Sequence, residues 1–397
     1  MLYRRFGRTE IAMPVLSCGG MRYQHKWQDV PLDQIPAENQ ENLENTIRRA
    51  LELGINHSET ARGYGASERQ LGRILPKLPR RQIIVQTKVA PAETPDEFTR
   101  NFEDSLSRLG LDYVDLMAIH GINNRETLER SIRAGGCLEA ARAIQRRGLA
   151  RHIGFSTHGP TEVMLQAVNC DRAGGFDYVN LHWYYIYQKN FPAIEAASRR
   201  DMGIFIISPS DKGGMLYDPP ARLVELCHPL HPAVFNDMFC LSCPLVHTIS
   251  VGAARPTDFG LHLQAVGLLD RAAEFLPPIL SRLDAALREA VEPELLDPFG
   301  MGLPDWENTP GQINIPVILW LRNLVKAFDL RRYAEMRYNL LGQGGHWFPG
   351  QTAAKLDEVD LAPVLRGIPL AERIPDFLRE AHALLGRQSV KRLSESS

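Results

Sequence analysis

A (β/α)8 TIM barrel with a mostly helical C-terminal extension is the fold class this sequence predicts, on three observations. Eight short, β-rich apolar runs alternate with helix-period segments between residues 15 and 270. No GxGxxG follows the first run, which weighs against a long doubly wound sheet. The alternation then stops, and residues 271–397 show no comparable repeat. The expected domains are therefore a barrel over 1–270 and an extension over 271–397.

The opening YRRFGRTEIAMPV reads as a hairpin that plugs the bottom of the barrel. Strands are predicted at 15–19 (VLSCG), 56–60, 83–88 (IIVQTK), 115–120 (DLMAIH), 151–156, 178–183 (YVNLHW), 203–209 and 248–252. Between them, Leu43, Ile47 and Ala50 make one apolar helical stripe, and Phe98, Phe102, Leu106 and Leu109 make another. In the extension, a Pro/Gly-rich stretch precedes a helix marked by Leu321, Leu324, Val325 and Phe328. A Gly-rich loop, LGQGGHWFPG, leads to a last helix with Ile374, Phe377, Leu378 and Leu385, and the tail QSVKRLSESS is expected to be loose.

Bulk properties exclude several classes of function. Hydrophobic residues are 44%, charged residues 23% and the formal net charge is -2, an ordinary globular balance without the basic excess of a nucleic-acid or membrane-surface binder. No apolar run approaches the roughly 20 residues that span a bilayer. The N-terminus lacks a signal-peptide core, and the six cysteines are scattered through a long chain. A cytoplasmic location is expected.

The candidate chemistry sits at strand ends. Glu59 and Tyr64 lie at the end of the second predicted strand, Lys88 ends the third and His120 ends the fourth. In a (β/α)8 barrel those ends share one mouth, so the four side chains converge. A lone strand-end lysine or histidine is more often a rim charge or a structural residue, but four at neighbouring ends suggest carbonyl reduction. A phenol with a pKa of about 10 is a poor donor at neutral pH, and a neighbouring ammonium lowers that value. Glu59 would hold Lys88, Tyr64 would protonate the carbonyl oxygen and His120 would orient it. A cofactor must bring the hydride, because no side chain supplies one.

Over most of residues 1–265 the chain resembles the aldo-keto reductases. The matching segments, in family order, are FGRTEIAMPVLSCGGM, GINHSETARGYGASERQLG, IIVQTK, LGLDYVDLMAIHG, ARHIGFSTHG and ISPSDKGGML. The resemblance implies a catalytic tetrad on Glu59, Tyr64, Lys88 and His120, with Glu59 standing where the family normally has Asp. It implies that Ser156 and Asn180 hold a nicotinamide carboxamide, that Ser208 contacts the pyrophosphate and that Gly20 and Met21 pass beneath the ribose. The family's stacking aromatic is replaced here by Ile207, so that stacking is either absent or supplied from elsewhere, by Tyr184 or Tyr185. Arg255, after the eighth strand, suits the 2′-phosphate of NADP, favouring NADP over NAD; as a surface residue it is otherwise unremarkable in type.

Some members of that family carry two CxxCxxCxxxCP runs in a ferredoxin-like C-terminal region, each followed by Ile-Pro. This chain resembles both frames at Pro310…Ile315-Pro316 and Pro369…Ile374-Pro375. The implied thiolate positions are Phe299, Gly302, Asp305 and Thr309, then Glu358, Leu361, Val364 and Ile368. None is cysteine, so no iron–sulfur cluster is expected. A second cluster, Cys227, His228, His231, Cys240, Cys243 and His247, contains a zinc-like CxxC, but Phe239 and Leu241 favour packing and no metal is assigned.

The reading is an NADP-dependent oxidoreductase that reduces a small-molecule aldehyde or ketone. Two other classes remain: a catalytically weak barrel acting as a binding or scaffold protein, and an isomerase or dehydratase using the same acid. No nucleic-acid or membrane partner is expected, and a protein partner is assigned, if anywhere, to the C-terminal extension.

Overall fold

In a computed structural model, which describes residues 1–343 and 348–387, the chain contains a closed barrel of eight parallel strands. Two antiparallel strands, β1 (Tyr3–Arg5) and β2 (Ala12–Pro14), come first. The barrel strands are β3 (Leu16–Gly19), β4 (His57–Glu59), β5 (Ile84–Val89), β6 (Val114–His120), β7 (Ala150–Ser156), β8 (Tyr178–Leu181), β9 (Gly203–Ile206) and β10 (Thr248–Val251). They neighbour one another in chain order, and β10 pairs with β3 to close the ring.

The β1–β2 hairpin is the expected plug. Phe6 is fully buried, its ring 5.7 Å from that of Tyr178 and edge-on to His247. A Cβ on Gly203 would lie 2.7 Å from the Phe6 ring, so the first residue of β9 is glycine where the plug enters. Above Phe6 and Met13 the interior is filled by Leu116, Ala118, Tyr178 and Phe205. Side chains alternate in and out along a strand, so Leu116, Ala118 and His120 climb one interior face of β6 from floor to mouth.

The outer helices follow the predicted stripes. Phe98, Phe102, Leu106 and Leu109 are buried on the helix Pro95–Leu109. Thr94 caps its start, accepting from Glu97 N at 3.2 Å, and Gly110 ends it in the left-handed conformation at φ 62°. Each fully buried phenylalanine contributes roughly 1.5–3 kcal/mol. Leu43, Ile47 and Ala50 do the same on Ala37–Glu52.

The chain divides into two compact units, and among the described residues the first comprises Met1–Gly213 and Asn236–Ala272, the second Gly214–Phe235 and the residues from Ala273 onward. Residues 214–235, placed by the sequence reading inside the barrel, thus cluster with the extension. The helices of the second unit include Ile315–Phe328, Arg331–Asn339 and Ile374–Leu385, with Leu321, Leu324 and Phe328 buried. Trp320 is its aromatic centre, touching Phe299, Tyr333 and Phe348. The tail 388–397 and residues 344–347 of the Gly-rich loop lie outside the described residues.

Candidate active site

Register and pleat bring the sequence-predicted groups to one end of the barrel. Glu59 is the last residue of β4, Lys88 the penultimate residue of β5 and His120 the last of β6. All three point inward, because each lies an even number of positions from an interior residue of its own strand: His57, Gln86 and Ala118. Beneath them lies a polar layer in which Ser17 Oγ meets His57 Nδ1 at 2.6 Å and Thr248 Oγ1 at 2.8 Å. Burial, and then the Lys88 charge, push the His57 pKa down to about 3, so this imidazole is neutral.

Lys88 is 1% exposed and spends its three donors on three acceptors. It pairs with Glu59 Oε2, donates to the Thr60 carbonyl at 2.9 Å and reaches Tyr64 Oη at 3.3 Å. Burial opposes its charge, yet Glu59 and Tyr64 outweigh burial and hold its pKa above the ordinary lysine value. The other Glu59 oxygen accepts from Ser250 Oγ at 3.4 Å. Glu59, despite its extra methylene, therefore meets the ammonium directly.

Tyr64 stands on the loop after β4. Its Oη accepts from Lys88, its ring meets His120 edge-on at 5.7 Å, and Trp27 packs edge-on with it at 6.1 Å. Gly65 permits this turn: its φ is +50°, and a Cβ there would lie 2.0 Å from the Lys26 carbonyl oxygen. The phenol pKa differs from the sequence expectation. Lys88 lowers it as anticipated, but burial raises it more and Glu59 adds to the rise, so Tyr64 sits above the ordinary tyrosine value. The phenol keeps its proton at neutral pH.

The remaining positions divide into two groups. Ser156 ends β7 beside Asn180 on β8, in direct register, and its Oγ accepts from Gly121 N at 3.1 Å. Asn180 is fully buried, and neither its Oδ1 nor its Nδ2 has a hydrogen-bond partner. A buried unpaired amide costs free energy that a ligand offering both donor and acceptor would recover. A nicotinamide carboxamide has that pattern, so these residues fit the cofactor. Ser208 is in the left-handed region, φ 55°, capping the short helix Pro209–Lys212. Gly20 donates to the Glu59 carbonyl at 2.7 Å, where a Cβ would stand 2.6 Å from that oxygen, and Met21 beside it is half-buried.

Other groups do not join this constellation. Arg255 has a side chain 72% exposed and pairs with Asp258 at 3.1 Å. Tyr184 donates through its hydroxyl to the Ile207 carbonyl, and Tyr185 lies edge-on to Phe239. Cys240 donates to the Trp183 carbonyl, His231 accepts from Ala233 N and His247 accepts from Ile204 N. Among the described residues no group of three or more His, Cys, Asp or Glu is placed to hold a metal. The eight cluster-frame positions have no thiolate, which does not fit an iron–sulfur cluster; of them, Phe299 lies tilted against Trp320 at 5.9 Å, the Asp305 carbonyl accepts from Thr309 Oγ1 and Leu361 is buried. Sequence reasoning missed Trp27 and Ser250, since neither stands at a strand end with an obvious chemical signature.

The model of the aldo/keto reductase family matches residues 15–218, more than half of the chain. The chain belongs to the aldo/keto reductase family. It is 28% identical over 184 residues to L-glyceraldehyde 3-phosphate reductase of Escherichia coli strain K12, covering 42% of this chain and 49% of that protein. It is 30% identical over 149 residues to L-galactose dehydrogenase of Arabidopsis thaliana, covering 35% and 46%. This aldo/keto reductase chain thus spans about half the length of these curated relatives. The holo form of an aldo-keto reductase from Bacillus halodurans shares the fold, with TM-score 0.59 and 20% identity over 71% of this chain and 96% of that one. No described helix of this family member is long and apolar enough to cross a membrane.

Proposed function

We propose that this chain is an NADP-dependent oxidoreductase reducing an aldehyde or ketone, with Tyr64 as the proton donor. One observation carries the reading: Lys88 Nζ bridges the Glu59 carboxylate and the Tyr64 hydroxyl inside the barrel mouth. The bound nicotinamide would supply hydride to the carbonyl carbon. As charge grows on the carbonyl oxygen, Tyr64 Oη gives up its proton, and the Lys88 ammonium stabilises the phenolate left behind. Lys88 therefore acts at the step where negative charge appears on Tyr64, although burial keeps the resting phenol protonated. Glu59 keeps the ammonium in place, and His120, edge-on to the phenol, orients the carbonyl oxygen.

Asn180 and Ser156 would hold the carboxamide, Ser208 the pyrophosphate, and Gly20 and Met21 the ribose side. Arg255 would exchange its exposed pairing with Asp258 for the 2′-phosphate; such a surface pair contributes only about 0–1 kcal/mol, so little opposes the exchange. The relatives named as acting on glyceraldehyde 3-phosphate and galactose support a small oxygenated substrate. The test is NADPH consumption with a panel of aldehydes and ketones, run beside Tyr64→Phe. Turnover abolished by the substitution is expected; turnover that survives it refutes the assignment, and no turnover with any carbonyl favours a binding barrel.

A further inference from the structure

Glu59 is held at two places, and only one of them is the ammonium it serves. Its Oε2 pairs with Lys88 Nζ, and its Oε1 accepts from Ser250 Oγ at 3.4 Å. Ser250 stands on β10 and Glu59 on β4, and β3 lies between those two strands in the ring. Two buried side chains therefore meet across a whole strand.

The layer beneath shows how. There the Ser17 hydroxyl of β3 bridges Thr248 of β10, at 2.8 Å, and His57 of β4, at 2.6 Å. Two residues further along each strand the side chains return to the same interior face, and the positions are Ser250, Gly19 and Glu59. The middle strand now carries no side chain. A Cβ on Gly19 would lie 2.7 Å from Ser250 Oγ and 3.2 Å from Glu59 Oε1, so any other residue would stand between the two groups. Gly19 lies outside the left-handed region, so space rather than backbone freedom sets the glycine. Glutamate has one more rotatable bond than aspartate, and the torsion of its terminal carboxylate is broad. Gripping Lys88 through one oxygen leaves the carboxylate free to swing about that torsion. A donor on the second oxygen removes that freedom.

We infer that Ser250 is a positioning residue for the reduction: reaching across the gap at Gly19, it orients the Glu59 carboxylate, which in turn fixes Lys88 against Tyr64. The inference rests on the reductase reading for the reaction it serves. Catalytic groups work only when neighbouring contacts lock their geometry, and Ser250 supplies that lock for the longer acid. Gly19 is the spatial condition of the contact.

Ser250→Ala, Glu59→Asp and the double variant form a cycle, assayed as NADPH consumption with an aldehyde that the parent protein reduces. Ser250→Ala should lower kcat about fivefold, the scale of one hydrogen bond, with KM and NADPH affinity unchanged. Aspartate is one methylene shorter and draws its carboxylate back from β10. In the Glu59→Asp protein the same substitution should therefore change kcat by less than about twofold. Gly19→Ala should also lower kcat, and Ser250→Ala should add nothing to it, because the contact is already broken. An unchanged kcat in Ser250→Ala, or losses that multiply independently in either background, overturns the inference. So does a loss carried by weaker NADPH binding, which would assign Ser250 to the cofactor. If no carbonyl is reduced, the reductase reading fails separately, and the same cycle is read from the unfolding constant of the full chain in denaturant. A coupling of about threefold or more between Ser250 and Glu59 upholds the contact, and independent effects overturn it.

Discussion

Each compact unit buries one cation almost completely, and the two are handled in opposite ways. Lys88 in the barrel and Arg322 in the second unit are each 1% exposed. Arg322 stands 3.8 Å from Glu292. It pairs with Glu380 at 2.6 Å and lies over the Phe377 ring at 4.6 Å, while Glu380 itself remains 43% exposed. Lys88 instead has a carboxylate buried with it and a phenol at 3.3 Å that can gain or lose a proton. A buried cation whose partner reaches water is architecture. A buried cation whose neighbour titrates can stabilise charge that appears during a reaction.

That contrast is sharpest if both cations are removed. Lys88→Met leaves the Glu59 carboxylate buried without its partner, and should cost about 3–5 kcal/mol of stability, read from denaturant unfolding. It should also lower carbonyl reduction at least ~10²-fold, as should Tyr64→Phe. Glu59→Gln should lower turnover by weakening its hold on Lys88, and Glu59→Asp should do less harm. Stability and turnover both unchanged in Lys88→Met would erase the distinction between the two sites.

His57 tests the same physics with the opposite outcome: a buried basic group beside a cation and without a carboxylate loses its charge. Its folded pKa, about 3, lies below the unfolded value of about 6.5. Its contribution to stability is therefore fully present above pH 6.5 and is lost as pH falls towards 3, over which the unfolded chain binds a proton that the folded chain refuses. The whole effect is on the order of several kcal/mol. Unfolding free energy measured across that window should fall, and His57→Gln should flatten the fall.

Arg322→Met should cost less, about 1–2 kcal/mol, since Glu380 recovers water and the cation–π contact, one charged hydrogen bond and the looser pairing with Glu292 at 3.8 Å are lost. Its turnover should match the parent protein, and a hundredfold loss would show that the second unit takes part in the chemistry. The smallest effect belongs to an exposed cation. Arg255→Ala should reduce the preference for NADPH over NADH by several-fold through one surface phosphate contact, read by fluorescence titration. Equal affinities in the parent protein would remove Arg255 from the site.

The sequence by itself determined what periodicity and local chemistry encode. The alternation of strand-length apolar runs with helical stripes sufficed for a closed parallel barrel, and Phe98 and Phe102 are buried as their spacing demanded. Residue type at strand ends was enough to nominate Glu59, Lys88 and His120, because pleat and chain direction alone bring such ends to one mouth. Strand limits were less legible. The run 203–209 stops at Ile206 because Pro209 begins a helix and Ser208 turns left-handed to cap it. Tertiary structure alone decided the energetics and the partners. Burial, which no local pattern reports, raised the Tyr64 pKa against the pull of Lys88. Closure of the ring placed Ser250 of β10 against Glu59 of β4, 191 positions away in sequence, and left the Asn180 amide buried without a partner. The grouping of residues 214–235 with the extension and the meeting of His158, His182 and Lys212 likewise depend on contacts between distant segments, which only the folded chain makes.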